Sequence, residues 1–189
     1  MKYLVVGLGN IGYEYKNTRH NIGFDVLDAF AKASNAVFSD VKLGSVCECK
    51  HKGRTFVLLK PNTYVNLSGK SLNYWMQKEK IPVEHVIVVL DDLALPYGTI
   101  RLKGKGGDAG HNGLKNINQV LGHNKYARLR FGIGDDFRRG KQVDFVLGKW
   151  TDEEKEWMPN YVEKAIETIK SFGTIGLERT MNFFNTKDK

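Results

Sequence analysis

The stretch Gly7-Leu-Gly-Asn-Ile-Gly-Tyr-Glu-Tyr-Lys-Asn-Thr-Arg-His-Asn-Ile-Gly23 decides how the rest of the chain is read. It follows the apolar run Tyr3-Leu4-Val5-Val6, which predicts a buried first strand, and it precedes a helical pattern. Gly7, Gly9 and Gly12 have the spacing G-x-G-x-x-G of a dinucleotide loop. The Tyr, Arg, His and Asn residues among and after them suit the rim of an active site equally well. The dinucleotide reading demands a helix directly after the third glycine and an acid at the end of a second strand. Tyr13 to His20 has no helical apolar face, and the acid at the right distance, Asp28, falls inside the first helical pattern. The active-site reading is therefore preferred.

Working outward, Ile22, Val26, Leu27 and Phe30 give a helical stripe from Asn21 to Ser34. Ser45–His51 alternates and Arg54–Lys60 is a compact apolar run, so Lys52-Gly53 predicts the turn of an antiparallel hairpin. Pro61 ends that strand, Asn62–Asn66 is a loop, and Asn66 or Ser68 is expected to cap a helix to Lys78. Val86–Leu90 predicts a central strand ending in Asp91-Asp92, followed by a strand over Thr99–Lys103. Gly104–Gly110 is too rich in glycine for regular structure and is expected to be a mobile loop. A helix over Leu114–Leu121, a strand over Ala127–Ile133 and a charged loop over Asp135–Gln142 come next. Thr151-Asp-Glu-Glu154 is a capping box that opens a helix. Pro159 is placed in the first turn of a further helix to Phe172, and a terminal helix covers Leu177–Phe184. The expected fold is a single α/β domain over residues 1–189, with a mixed central β-sheet flanked by helices.

Composition narrows the function classes. Apolar and charged fractions of 41% and 26% are those of a globular protein, and no apolar run is long enough to predict a membrane-spanning helix. The N-terminus enters a strand directly, so a cytoplasmic location is expected. Net charge is +8. Thr99–Lys149 holds eleven Lys and Arg against four Asp, or +7, a placement suited to a phosphate-backbone ligand. Cys47 and Cys49 lie two apart on a predicted strand, without partners at zinc-ligand spacing, and are expected to be reduced.

The chemistry-bearing residues gather at the ends of core elements. His20 follows the first loop and Asp91 ends a central strand, where open α/β sheets bind ligands. A histidine of ordinary pKa near ~6.5 takes a proton from water at neutral pH, and an aspartate on its other nitrogen fixes the tautomer. Asn10, Asn66 and Asn112 are amides that can donate to a developing oxyanion without competing for the proton. His111, beside Asn112, reads either as loop packing or as a ligand contact. Rival nucleophiles are poor: no G-x-S-x-G elbow is present, and Ser68 reads as a helix-start residue.

These residues, with Gly7-Leu-Gly-Asn10, Thr18-Arg-His-Asn21, Lys60-Pro-Asn-Thr-Tyr-Val-Asn-Leu-Ser-Gly69, Gly110-His-Asn-Gly-Leu-Lys115, Arg128-Leu-Arg-Phe-Gly-Ile-Gly134 and Phe145-Val-Leu-Gly148, make the chain resemble the bacterial-type peptidyl-tRNA hydrolases along nearly its whole length. The resemblance implies hydrolysis of the ester joining peptide to tRNA by a cytoplasmic monomer that needs no cofactor, metal or membrane. It implies His20 as general base, Asp91 as its stabiliser, and Asn10 as the residue distinguishing peptidyl- from aminoacyl-tRNA. It further implies Tyr15, Tyr64, Asn66 and Asn112 as substrate contacts, and Lys103 and Arg130 as phosphate contacts. The chain departs from the family pattern at Ile11, at Ala94 and at Asp108-Ala109.

Overall fold

The computed structural model describes residues 1–185. The run Tyr3–Val6 lies in strand β1 (Lys2–Gly7), buried on both faces from Tyr3 onward, as a strand covered by helices on each side must be. The remaining strands are β2 (Ser39–Val41), β3 (Gly44–His51), β4 (Arg54–Pro61), β5 (Val86–Asp92), β6 (Ile100–Lys103) and β7 (Ala127–Gly132). The helices are α1 (Ile22–Ala33), α2 (Ser68–Lys78), α3 (Asn112–Leu121), α4 (Gln142–Val146), α5 (Asp152–Ile175) and α6 (Leu177–Phe184). The seven strands run in the order β2-β3-β4-β1-β5-β7-β6. β1 pairs in parallel with β4 and β5, and β5 with β7; β2, β3 and β6 join antiparallel, so the sheet is mixed as expected.

Two cores follow from the alternation of side chains along the strands. Val5, Leu58 and Val89 face one way and pack with Val26 and Phe30 of α1 and Ile166 and Ile169 of α5. Leu4, Val6, Val57 and Val88 face the other way, against Leu72 and Trp75 of α2 and Leu114 and Ile117 of α3. Truncating one such side chain to Ala typically costs ~2–5 kcal/mol. Cys47 and Cys49 are free and buried, both on the first face.

The hairpin turn forms as read: Lys52 and Gly53 have φ of 47° and 78°, the pair of positive angles that suits a tight hairpin, and His51 pairs with Arg54. Other boundaries differ from expectation. α5 runs unbroken through Pro159, which lies inside the helix. The Thr151/Glu154 capping box secures its first turn, and the Tyr97 hydroxyl bonds the Glu154 carbonyl. Neither Asn66 nor Ser68 caps α2; Leu67 occupies that position, and Ser68 Oγ donates to the Val65 carbonyl at 2.7 Å instead. β2 is three exposed residues and α4 a single short turn, neither long enough to show periodicity in the sequence.

The glycine spacing has a packing cause. A Cβ on Gly7 would stand 2.5 Å from the Gly23 carbonyl oxygen, and one on Gly23 would stand 2.6 Å from both Leu8 N and Val89 O. α1 thus lies backbone-to-backbone against the ends of β1 and β5. Gly9 leaves room for the Asn21 side chain, 3.0 Å from where its Cβ would be. Tyr13–Tyr15 after Gly12 is a 3₁₀ turn with no buried residue, not the helix N-terminus a pyrophosphate would need.

Candidate active site

Three loops converge beyond the C-terminal ends of β1 and β5. The first, after β1, carries Asn10 and leads through the 3₁₀ turn Arg19–Asn21 into α1. Two residues of that turn fix it. Asn21 Oδ1 accepts from the Asn10 amide at 2.9 Å, and its Nδ2 donates to the Asn10 carbonyl at 2.9 Å. Arg19 is buried; its Nη1 donates to the Phe145 carbonyl (3.1 Å) and its Nη2 to Glu154 Oε1 (2.8 Å), with the guanidinium 4.3 Å from the Phe145 ring centroid. His20, between them, has little freedom to move.

Asp91 faces His20 from the end of β5. His20 Nδ1 lies 2.9 Å from Asp91 Oδ2 and 3.1 Å from Oδ1. A carboxylate partner places the proton on Nδ1 and leaves Nε2 as the basic nitrogen. Asp91 Oδ1 also meets His111 Nε2 at 2.8 Å. His111 caps α3, its Nδ1 accepting from the Gly113 amide at 3.1 Å. An amide can only donate, so the His111 proton sits on Nε2 and points at Asp91. His111 thus ties Asp91 to the start of α3 while also lining the cavity described below, so both readings made of it in the sequence stay open.

Burial works against the ionised form of Asp91, but the His111 and His20 imidazoles overcome it and hold the carboxyl well below the usual carboxylate range. His20 shows the complement. Burial pushes its pKa down, Asp91 pushes it up by charge and by hydrogen bond, and the net shift is upward. His20, Asp91 and His111 set possible metal-ligand atoms within 4.8 Å of one another. Ligation by His111 Nε2 would move its proton to Nδ1 and oppose the Gly113 amide, so this trio is built as a hydrogen-bond relay rather than a metal cage.

A cavity of about 760 Å³ opens over these residues, with Asn10, His20, Asp91, His111, Asn112, Lys103 and Arg130 in its walls. Asn10 Oδ1 accepts from the Val65 amide at 2.7 Å, which seats the loop before α2 against the cavity and leaves the Asn10 NH₂ to donate elsewhere. Asn112 is exposed at the first position of α3. Lys103 is exposed at the end of β6, whereas Arg130 Nε bonds the buried Asp92 carboxylate. Tyr15, Tyr64 and Asn66 lie outside the cavity wall. Tyr64 and Asn66 flank Val65 and are exposed, and Tyr15 meets Tyr64 edge-on with ring centroids 6.5 Å apart.

The glycine-rich segment after β6 also borders the cavity and is tied down. Arg128, fully buried, donates to the Gly106 carbonyl at 3.2 Å, and Asp108 Oδ1 accepts from Gly110 N at 2.9 Å. Asp108 and Ala109 form the turn that delivers the chain to His111, whose amide bonds the Asp108 carbonyl at 2.8 Å. Arg19, Asn21, Asp92 and Arg128 escaped the reading of individual residues. Their only signal was their place inside the quoted motifs, because a buried polar residue is identified by its partners.

Comparison with known proteins places the chain in a family. A family model described as peptidyl-tRNA hydrolase matches residues 4–189. The peptidyl-tRNA hydrolase of Phocaeicola vulgatus is 63% identical over 187 residues, covering 99% of this chain and 100% of that protein. That of Porphyromonas gingivalis is 57% identical over 185 residues, covering 98% and 100%. The crystal structure of peptidyl-tRNA hydrolase from Acinetobacter baumannii superposes with a TM-score of 0.91 at 32% identity, over 98% of this chain and 95% of the other. With a family match over almost the full length and relatives covered end to end, this chain belongs to the peptidyl-tRNA hydrolase family.

Proposed function

We propose that the protein hydrolyses the ester bond between peptide and tRNA, with a water molecule activated by His20 and no covalent intermediate. The observation that carries this reading is the His20–Asp91 pair, which leaves one basic nitrogen beside an open cavity. Water entering the cavity loses a proton to His20 Nε2 as it attacks the ester carbonyl. Asp91 stabilises the resulting imidazolium without itself accepting the proton. Asn10 and Asn112 donate amide hydrogens to the oxyanion or to the peptide carbonyls. The proton then passes from His20 to the departing ribose hydroxyl.

A direct attack by water is supported by the lack of a hydroxyl or thiol nucleophile in the cavity wall. Among the described residues of the cavity wall there is no serine, threonine or cysteine. Ser68 is buried and spends its hydroxyl on Val65. Cys47 and Cys49 are buried in β3.

The tRNA is held by phosphate contacts from Lys103 and Arg130, and Tyr15, Tyr64 and Asn66 meet the substrate outside the cavity. The 189 residues act as one domain and one monomer in the cytoplasm. Among the described residues no helix is long and apolar enough to cross a membrane. Purified protein is expected to release free tRNA from an N-blocked aminoacyl-tRNA, and His20→Ala to lose this activity by a factor of ~10² or more. A covalent acyl-protein trapped by acid quench and seen by mass spectrometry would overturn the mechanism.

A further inference from the structure

A second basic region lies away from the cavity. From Lys42 to Lys80 the chain holds eight Lys and Arg against two Glu, a balance of +6, so the charge is not confined to the later quarter. Part of it gathers on the outer face of α2, in an open groove where Lys42, Lys70, Lys78, Asn73 and Gln77 surround Tyr74 and the apolar side chains of Leu43 and Val120. Among the described residues no carboxylate lines it. Two ammonium groups flank one aromatic ring: Lys42 Nζ is 5.0 Å and Lys78 Nζ 6.0 Å from the Tyr74 centroid. Lys78 also lies 4.8 Å from the Trp75 ring.

The groove is held in shape by bonds that the sheet does not require. Trp75 Nε1 donates to the Lys42 carbonyl at 2.8 Å, and Ser71 Oγ and Asn62 N both donate to the Leu43 carbonyl at 2.7 and 3.1 Å. Leu43, a branched residue, is kept at φ 65°. Such backbone is strained and persists where the surroundings impose it. The tight turn between β2 and β3 is thereby fixed to α2, with Lys42 on one wall and Lys70 and Lys78 on the other. It lies at the β2 end of the sheet, six strand steps from β6 and Lys103, or about 29 Å at ~4.8 Å per step.

Cations spaced around a partly exposed ring, with neutral amides beside them and no competing acid, match RNA: phosphates meet the ammonium groups and a base stacks on the ring. We propose that this groove is a second RNA-contacting surface, taking backbone phosphates and one unstacked base of a tRNA at a distance from its reacting 3′ end. The identity of the RNA rests on the proposed function; the contact itself does not.

The test is binding of labelled, deacylated full-length tRNA across a salt series, by fluorescence anisotropy. The Lys42→Ala/Lys70→Ala/Lys78→Ala variant is expected to reduce the slope of log affinity against log salt by roughly 2–3, since each phosphate contact contributes about 0.7–0.9. Tyr74→Leu is expected to weaken binding about fivefold or more, and Tyr74→Phe, which keeps the ring, to match wild type. Unchanged slope and affinity would overturn the proposal. So would displacement of the tRNA by polyglutamate as readily as by single-stranded RNA of equal charge, which would mark an acidic-peptide site. In hydrolysis assays the triple variant should raise KM for full-length N-blocked aminoacyl-tRNA and leave a short aminoacyl-CCA fragment unaffected. Equal losses on both substrates would trace the effect to the cavity and overturn the proposal. Failure of the wild type to hydrolyse either would overturn the proposed activity, while the salt slopes still report on the groove.

Discussion

Asn10 and Asn21 exchange two hydrogen bonds across the first loop, each 2.9 Å long and each joining one residue's backbone to the other's side chain. Asn21 therefore substitutes for a missing strand partner. It satisfies the backbone N–H and C=O of Asn10 and leaves the Asn10 side chain free to accept from the Val65 N–H through Oδ1 and to face the cavity. Asn21→Ala is expected to leave a buried donor and acceptor unmet, at ~1–3 kcal/mol each, and to lower kcat/KM at least tenfold although Asn21 is absent from the cavity wall. Thermal melts and steady-state kinetics measure the two effects. An Asn21→Ala enzyme with wild-type kcat/KM would show that the Asn10 position does not depend on this pair.

The pH dependence follows from the sign of the His20 shift. A base works only when neutral, and Asp91 holds the His20 pKa above its ordinary 6.5. The acid limb of kcat/KM is therefore expected above pH 6.5. Asp91→Asn should move it downward while lowering the plateau by ~10²–10⁴. For stability, the raised His20 pKa gives a contribution fully present below pH 6.5 and lost as pH rises through the folded value. Asp91, shifted down, contributes above its ordinary 3.8 and loses this as pH falls toward its lowered folded pKa. The one His20–Asp91 contact enters both shifts. A pH–rate profile of wild type and Asp91→Asn checks the order of the two midpoints.

Lys103 and Arg130 should behave differently when removed. Both Lys103→Ala and Arg130→Ala are expected to flatten the salt dependence of tRNA binding by roughly 0.7–0.9. Only Arg130→Ala also leaves the buried Asp92 carboxylate without its cation, which typically costs ~3–5 kcal/mol. Denaturant titrations should therefore separate the variants even where binding does not.

Asp25, in the first turn of α1, offers a stability test away from the chemistry. Burial first, then the charge of Asp28, raises its pKa from 3.8 to about 7, against the opposing pull of Lys60 and Lys16. A carboxyl shifted upward destabilises the fold when ionised, so stability is expected to decline from this group between about pH 4 and 7. Asp25→Asn should raise the unfolding free energy at pH 8 by a few kcal/mol at most, at about 1.4 kcal/mol per pKa unit, and leave it unchanged near pH 4. A variant no more stable than wild type at pH 8 would show that Asp25 ionises without strain.

Strands with continuous apolar runs were legible from sequence because both faces are buried, as in β1, β4 and β5. The hairpin turn was legible because Gly53 takes positive φ without a steric cost and stands between two strand patterns. Pro159 misled because a proline is read as a start or a break, while the capped first turn of α5 lies N-terminal to it and carries the helix through. His20 and Asp91 were legible as ends of core elements, and the structure puts them in contact. The His111 contact with Asp91 was not: its cap on α3 comes from an imidazole, a residue type outside the usual capping set. The acid facing Arg130 could not be read either, since neighbours along β5 point to opposite faces and only the register shows which reaches which strand.

The position of β1 bears on how the protein is made. Of the seven strands it is made first, and it is the central one of the finished sheet, pairing with residues 55–59 and 86–89. Asp91 lies two residues past the second of those partners, and β7 must follow before β5 is flanked on its other side. At translation speeds of ~5–20 residues per second, the apolar run Tyr3–Val6 spends several seconds without either neighbour, a window in which chaperones bind nascent chains. A ribosome-bound fragment ending before β5 lacks the aspartate altogether, and one ending before α3 still lacks the His111 that holds it, so the candidate site is completed only past the midpoint of the 189 residues.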